Sequence, residues 1–340
     1  MIKEFLWAKH QDKDIFQYHL TNGQYKAVIS NYGALLTHLY APDKNGNMAD
    51  IVLGFDDFED YLTLSPYFGA TIGRFGNRIK NAKFTLNDTI YQLTKNEGEN
   101  QLHGGFYGFD KQIWDVQLDN KNTSIELTYV SPDGEEGFPG NLTTKVTYQL
   151  KEDGSLIYKV EATSDKDTIC SIVNHSYFNL AGSGDTLKHR LWVDADAYTE
   201  VDDTLIPTGK LLSTGGTGLD FSSPRLLGEA MKQMNSHVYD HNLALNGNIG
   251  SLRKVAILSD DVSKRSLEVS TTLPGLQIYN SAVMQGANIK SKDGTTYPNF
   301  AGFCLETQYF PDSPNISSFA QPILKAGELW QHCTIFKLGC

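Results

Sequence analysis

The chain has 340 residues, of which 40% are hydrophobic and 20% charged, a composition that suits a large folded core and excludes a disordered chain. Its formal net charge of −11 argues against nucleic acid or an anionic membrane as a partner, and against a highly phosphorylated substrate. The opening Met1-Ile2-Lys3-Glu4-Phe5 carries no apolar signal core, and no run of about eighteen apolar residues occurs. A cytoplasmic protein is therefore expected, with Cys170, Cys304, Cys333 and Cys340, scattered without a C-x-x-C pair, as free thiols.

Alternation dominates the pattern along the chain. Asn45-Gly46 is a turn signal between Leu39-Tyr40 and Ile51-Val52-Leu53. Phe84 and Leu86, a turn at Asn87-Asp88, and Ile90 to Leu93 form a hairpin. Trp114, Val116 and Leu118, a turn over residues 119–122, and Ile125, Leu127 and Tyr129 form a second. Leu142, Thr144, Val146, Tyr148 and Leu150, then Glu152-Asp153-Gly154, then Leu156, Tyr158, Val160 and Ala162 form a third. Residues 209–218, rich in Gly and Thr, read as a surface loop, and Leu226 to Met234 is the best helix candidate. Leu267, Val269 and Thr271 precede Pro274-Gly275, extended structure resumes from Gln277 to Ser281, and Trp330 to Leu338 closes the chain as another alternating run. Many strands at short intervals with turns of Asn, Asp and Gly predict an all-β, antiparallel sandwich or barrel with few short helices, as a single domain over residues 1–340.

Three strings place ionisable groups inside strand-like apolar runs, where a polar group is costly unless paired or used. In Asn174-His175-Ser176-Tyr177-Phe178-Asn179-Leu180, a strand puts Val173, His175 and Tyr177 on one face. His175 is then either a core histidine bonded to backbone or a functional group. In Cys304-Leu305-Glu306-Thr307-Gln308, Glu306 shares a face with Cys304 and Gln308. Desolvation would raise its pKa from ~4.3 toward neutrality, as a general base requires, unless it is paired with an arginine such as Arg78. In Asn100-Gln101-Leu102-His103-Gly104-Gly105, the glycines either let backbone approach a ligand or simply turn the chain.

Gly73-Arg74-Phe75-Gly76-Asn77-Arg78 offers two arginines four apart, suited to forking hydrogen bonds onto hydroxyls. His237-Val238-Tyr239-Asp240-His241 resembles a metal motif only loosely, since Val238 stands where a zincin has Glu, and Asp240 is better used to accept from adjacent hydroxyls. Gln277, Tyr279 and Ser281 make one polar strand face that lines a cleft or meets solvent. No phosphate-loop, dinucleotide or nucleophile-elbow motif is present.

Taken in order, Gly73-Arg74 with Asn77-Arg78, the strings at His103 and His175, Tyr239-Asp240-His241-Asn242, Leu305-Glu306-Thr307-Gln308, Pro311-Asp312-Ser313-Pro314-Asn315 and Ala326-Gly327-Glu328 resemble the galactose mutarotase (aldose 1-epimerase) family over nearly the whole chain. The resemblance implies a large antiparallel β-sandwich with an open polar sugar cleft. It implies interconversion of the α and β anomers of free aldohexoses such as galactose and glucose, with no metal and no cofactor. It implies Glu306 as general base, His175 as general acid and His103 as a second active-site histidine. Asn77, Arg78, His103, Tyr177, Asp240 and Gln277 match the sugar-contacting positions. A small-molecule aldose is the expected partner, and a monomer or a homodimer the expected state.

Acid–base chemistry of this kind predicts that Glu306 and His175 approach one cleft from opposite sides, a sugar ring's width apart. It also predicts that His175 keeps a pKa at or above ~6.5 beside the carboxylate. Three rivals compete: a hexose 6-phosphate 1-epimerase, a non-catalytic carbohydrate-binding protein, and a glycoside hydrolase using Glu306 and Asp240 as its carboxylate pair.

Overall fold

A computed structural model describes residues 1–234, 237–282, 284 and 286–340. The chain is built from antiparallel strands in three principal sheets, with helices among the described residues only at Phe58–Thr63 and Leu227–Met231 apart from short 3-10 turns. A nine-stranded sheet runs in the order Asp115–Asp119, Ser124–Ser131, Leu142–Leu150, Ser155–Ser164, Leu329–Gly339, Ser266–Thr271, Arg253–Asp260, His189–Val193, Arg225–Leu226. A six-stranded sheet runs Tyr177–Phe178, Phe303–Gln308, Gly275–Tyr279, Asp240–Ala244, Ala197–Val201, Pro207–Ser213. A five-stranded meander takes the first fifty residues, from Ile2–His10 to Met48–Asp50.

The three sheets share one core, because period-2 alternation gives each an apolar face. Leu20, Ile29 and Leu39 come from the meander, Val146, Leu156 and Phe336 from the nine-stranded sheet, and Leu276, Ile278 and Leu305 from the six-stranded sheet. The large hairpins fall where alternation put them, with Tyr148 paired to Tyr158 and Leu118 to Ile125. Two expectations need correction. The segment read as a loop over residues 209–218 overlaps the edge strand Pro207–Ser213 in its first half. Its side chains are mostly exposed, so backbone pairing to Ala197–Val201 holds it and no apolar period betrays it. The helix foreseen to Met234 stops at Met231.

The strand that matters most for function is Phe303–Gln308, where every residue is buried. Phe303 and Leu305 enter the shared core, while Cys304, Glu306 and Gln308 face the other way. Register then fixes their neighbours: Gln277 lies opposite Glu306, Asn242 opposite Gln277, Asp240 opposite Tyr279, and Tyr177 opposite Cys304. A polar floor thus forms from one face of four adjacent strands.

The turn at His103-Gly104-Gly105 closes over this floor, and each of its three residues has positive φ. A side chain at Gly104 (φ +82°) would run into the Gly73 carbonyl, whose carbon would lie 2.6 Å from the new Cβ. Gly104→Ala is therefore expected to destabilise the protein by about 2 kcal/mol or more, read as a lowered Tm. An unchanged Tm would show that the turn relaxes freely.

Candidate active site

All eight residues singled out from sequence line one cavity of about 210 Å³. Arg78 comes from the short strand Arg78–Ile79, which pairs with Gln101–Leu102, Asn77 and His103 from the turns beside these two strands, Asp240, Gln277 and Glu306 from the sheet floor, and His175 and Tyr177 from the strands Val173–His175 and Tyr177–Phe178. Pro66, Tyr67, Leu102 and Tyr279 complete the wall.

Glu306 is 2% exposed, and its Oε2 has no hydrogen-bond partner. The Nε2 of His175, itself 4% exposed, lies 3.5 Å from that oxygen. The two groups are thus neighbours on one wall, and not opposed across a ring's width as expected. Burial, reinforced by the charge of Asp240 and only partly opposed by Arg78, pushes the Glu306 carboxyl well above the usual carboxylate range. Burial also lowers His175 to about 4, against a weaker pull from a hydrogen bond to its own backbone. The expectation that His175 stays at or above its ordinary value therefore fails: burial disfavours the charged imidazole, and the same burial disfavours the carboxylate that would hold a proton on it. Both shifts run toward the neutral forms of the two groups.

Arg78 does not pair with Glu306. Its Nε and Nη2 fork onto the two oxygens of Glu97, each at 2.8 Å, and Nη1 lies 3.6 Å from Asp240 Oδ2. Burial works against its charge, but Glu97 and Asp240 outweigh that and hold its pKa above the ordinary arginine value. Asp240 also accepts from Gln277 Nε2 at 2.5 Å, and Gln308 donates to both Gln277 and Asn242 at 3.1 and 3.0 Å. These bonds fix the floor's polar groups in single orientations.

His103 is fixed differently. Its Nδ1 accepts from the Asn77 backbone N–H at 3.2 Å, so Nε2 carries the proton. Burial, with the charges of His175 and Arg78, drives its pKa well down. His103 is accordingly a neutral donor on the cavity wall. Asn77, at φ +70°, uses its side chain to accept the Arg78 backbone N–H at 2.9 Å. Tyr177 presents its ring, stacked on His175 at 5.1 Å, while its hydroxyl donates to the Pro66 carbonyl at 2.8 Å.

Much of the polar load around His175 is structural. Asn174 donates to Tyr148 at 2.9 Å, Ser176 to Asn174 at 2.6 Å, and Asn179 to Ala301 at 2.8 Å. Sequence reasoning missed Glu97 and Tyr67. Glu97 sits in a polar loop with no period to mark it, and the positive φ of Tyr67 (+68°) has no local signal. Tyr67 stacks at 5.7 Å on His175 and lies 4.7 Å from His103.

His241 faces away from Asp240 along its strand, and His237 bonds the Met231 carbonyl at 3.3 Å, so the two do not converge as metal ligands. Among the described residues, His175, Cys304 and Glu306 do bring donor atoms within 4.8 Å of one another. Burial holds the Cys304 thiol well above the usual thiol range. The four cysteines are free. No helix among the described residues is long and apolar enough to cross a membrane.

The family model described as aldose 1-epimerase matches residues 17–337. Galactose mutarotase of Bos taurus is 42% identical over 325 residues, 95% of this chain and 94% of that protein. Aldose 1-epimerase of Escherichia coli is 34% identical over 319 residues, 91% of each chain. The crystal structure of an aldose epimerase homologue from C. elegans superposes with a TM-score of 0.88 at 30% identity, covering 94% of this chain and 98% of that one.

The protonation state is directly checkable. Infrared difference spectroscopy at pH 7 is expected to show a carboxylic-acid carbonyl band that vanishes in Glu306→Gln. Absence of the band in the parent protein would place the proton elsewhere.

Proposed function

The chain belongs to the aldose 1-epimerase family, isomerases that interconvert the α and β anomers of aldoses, and we propose that Glu306 and His175 carry the reaction as general base and general acid. One observation carries this assignment. A buried carboxyl oxygen with no hydrogen-bond partner lies 3.5 Å from a buried imidazole nitrogen, at the floor of a polar cavity. Such a pair is expensive to maintain for structure alone.

Anomer exchange requires opening the ring. The carboxylate of Glu306 takes the proton of the anomeric hydroxyl, and that O–H electron pair becomes the C1=O1 double bond. The C1–O5 bond breaks with its electrons going to O5, which receives the Nε2 proton of His175. The C1–C2 bond turns by about half a revolution, and closure on the other face runs the same transfers backwards. Both oxygens sit on one carbon, which explains why acid and base are close neighbours. The pair holds one proton throughout. After ring opening that proton is on Glu306, the same distribution that burial favours in the empty site.

The substrate we infer is a free aldohexose such as galactose or glucose. Arg78, Asp240 and Gln277 give a donor–acceptor floor, and His103 adds a fixed donor. Asn77 and Tyr177 shape the wall. Arg78 is the one cationic side chain lining this cavity among the described residues, and two carboxylates already engage it. That disfavours a hexose 6-phosphate, which needs a free cationic clamp. Asp240, held by Arg78 and Gln277, is poorly placed to serve as the second carboxylate of a glycoside hydrolase. A binding module would have no use for the unpartnered Glu306. The net charge of −11 supports a reading without nucleic acid or membrane partners, and four free cysteines support a cytoplasmic location.

Glu306→Gln and His175→Asn are each expected to slow the optical-rotation change of fresh α-galactose by about 10²-fold or more while the fold survives. Near-parental rates in either variant would refute the assignment. For pH dependence, activity belongs to the one-proton state of the pair. It is lost on the acid side as His175 takes a second proton near its lowered value of about 4, and on the alkaline side at the raised value of Glu306. A kcat/KM profile flat through neutrality is expected; an acid limb centred near ~6.5, that of an ordinary histidine, would contradict it.

A further inference from the structure

Glu306 Oε2 lies 3.5 Å from one nitrogen of His175, a sulfur lies near the other, and the ring also makes a hydrogen bond to its own backbone. Cys304 Sγ lies 3.8 Å from His175 Nδ1, within reach of a sulfur hydrogen bond. Cys304 is fully buried and stands two residues before Glu306 on the same strand, so strand alternation points both side chains to the same side. Tyr177 pairs with Cys304 in register, which brings His175, two residues earlier, alongside both. One strand therefore places Glu306 beside one nitrogen of the imidazole and Cys304 beside the other. The rings of Tyr67 and Tyr177 lie within 27° and 22° of parallel to it, and His103 meets it edge-on at 5.1 Å.

We propose that Cys304 is a positioning residue whose sulfur accepts the Nδ1 proton of His175, leaving Nε2 as the nitrogen that gives and takes a proton during turnover. The inference rests on His175 being the acid. With the proton fixed on Nδ1, Nε2 releases its proton to the ring oxygen and becomes a neutral imidazole nitrogen, ready to take the proton back on closure. With the opposite tautomer, Nε2–H would have to leave an imidazolate behind, and no lone pair would face the substrate. The chemical nature of the partner matters as well. A carboxylate behind the ring would stabilise the imidazolium and blunt it as an acid, whereas a neutral thiol is a weak acceptor that orients the ring without storing charge beside it. That choice fits a reaction in which the histidine must give up a proton to an ether-like oxygen.

The test labels histidine with ¹⁵N and reads the His175 side chain at pH 7 in the free enzyme, together with kcat and KM for Cys304→Ala, Cys304→Ser and His175→Asn. The expected parent spectrum has a protonated Nδ1 and an unprotonated Nε2. Cys304→Ala is expected to lose that preference and to lower kcat by about tenfold with KM within twofold. Cys304→Ser, which restores an acceptor, is expected to recover the tautomer and most of kcat. A parent spectrum with Nε2 protonated, or a Cys304→Ala enzyme that keeps the parental tautomer, whatever its rate, overturns the proposal. The parent spectrum decides even if the Cys304 variants fold poorly. Full activity in His175→Asn would instead remove the acid assignment itself, and this role with it; an inactive His175→Asn beside a Cys304→Ala enzyme of parental tautomer would remove only the role of Cys304.

Discussion

A carboxyl group with one unpartnered oxygen, buried on a strand that is itself buried on both faces, is the constraint around which the cavity is organised. Glu306 sits where an apolar side chain would cost nothing, and its charge is suppressed by desolvation. Burial favours the neutral form of this group and of its neighbour His175 alike, which lowers the penalty. Charging the pair means moving one proton between an oxygen and a nitrogen that lie 3.5 Å apart, with no change in net charge. A small redistribution inside a dry, preorganised site is a low-cost event compared with importing a charge from water.

The surrounding polar residues keep that balance from collapsing. Were Arg78 bound to Glu306, the carboxyl would ionise permanently and lose its strength as a base. Glu97 prevents this by taking Nε and Nη2 of the guanidinium, and Asp240 lies beside Nη1. The amide chain from Gln308 through Gln277 to Asp240 fixes the floor in one hydrogen-bond direction. Fixed donors and acceptors of this kind suit hydroxyl recognition, because a sugar lacking the matching hydroxyl would leave buried groups unpaired.

The sequence was most legible where a period governs structure. Alternation located the long hairpins, and the same period put Glu306, Cys304 and Gln308 on one face and His175 with Tyr177 on another. The convergence of these groups was supplied by ordered motifs along the chain, since no local pattern says which strands meet. Three things were hidden for physical reasons. Glu97 lies in an irregular loop and becomes important only through Arg78. The edge strand Pro207–Ser213 depends on pairing to its neighbour and not on its own side chains. The depressed basicity of His175 depends on how thoroughly Tyr67, Tyr177 and the strand Phe303–Gln308 exclude water from it, which is a property of packing.

The central claim is that Glu306 and His175 share one proton and act as a unit. A double-mutant cycle on the mutarotation rate tests this most directly, comparing Glu306→Gln with His175→Asn and with the variant carrying both. If the two groups are halves of one proton-transfer device, removing the second after the first costs almost nothing further, and the double variant is about as slow as the slower single one. Losses that multiply, each substitution exacting its full effect in the presence of the other, would show two independent contributions and contradict the account.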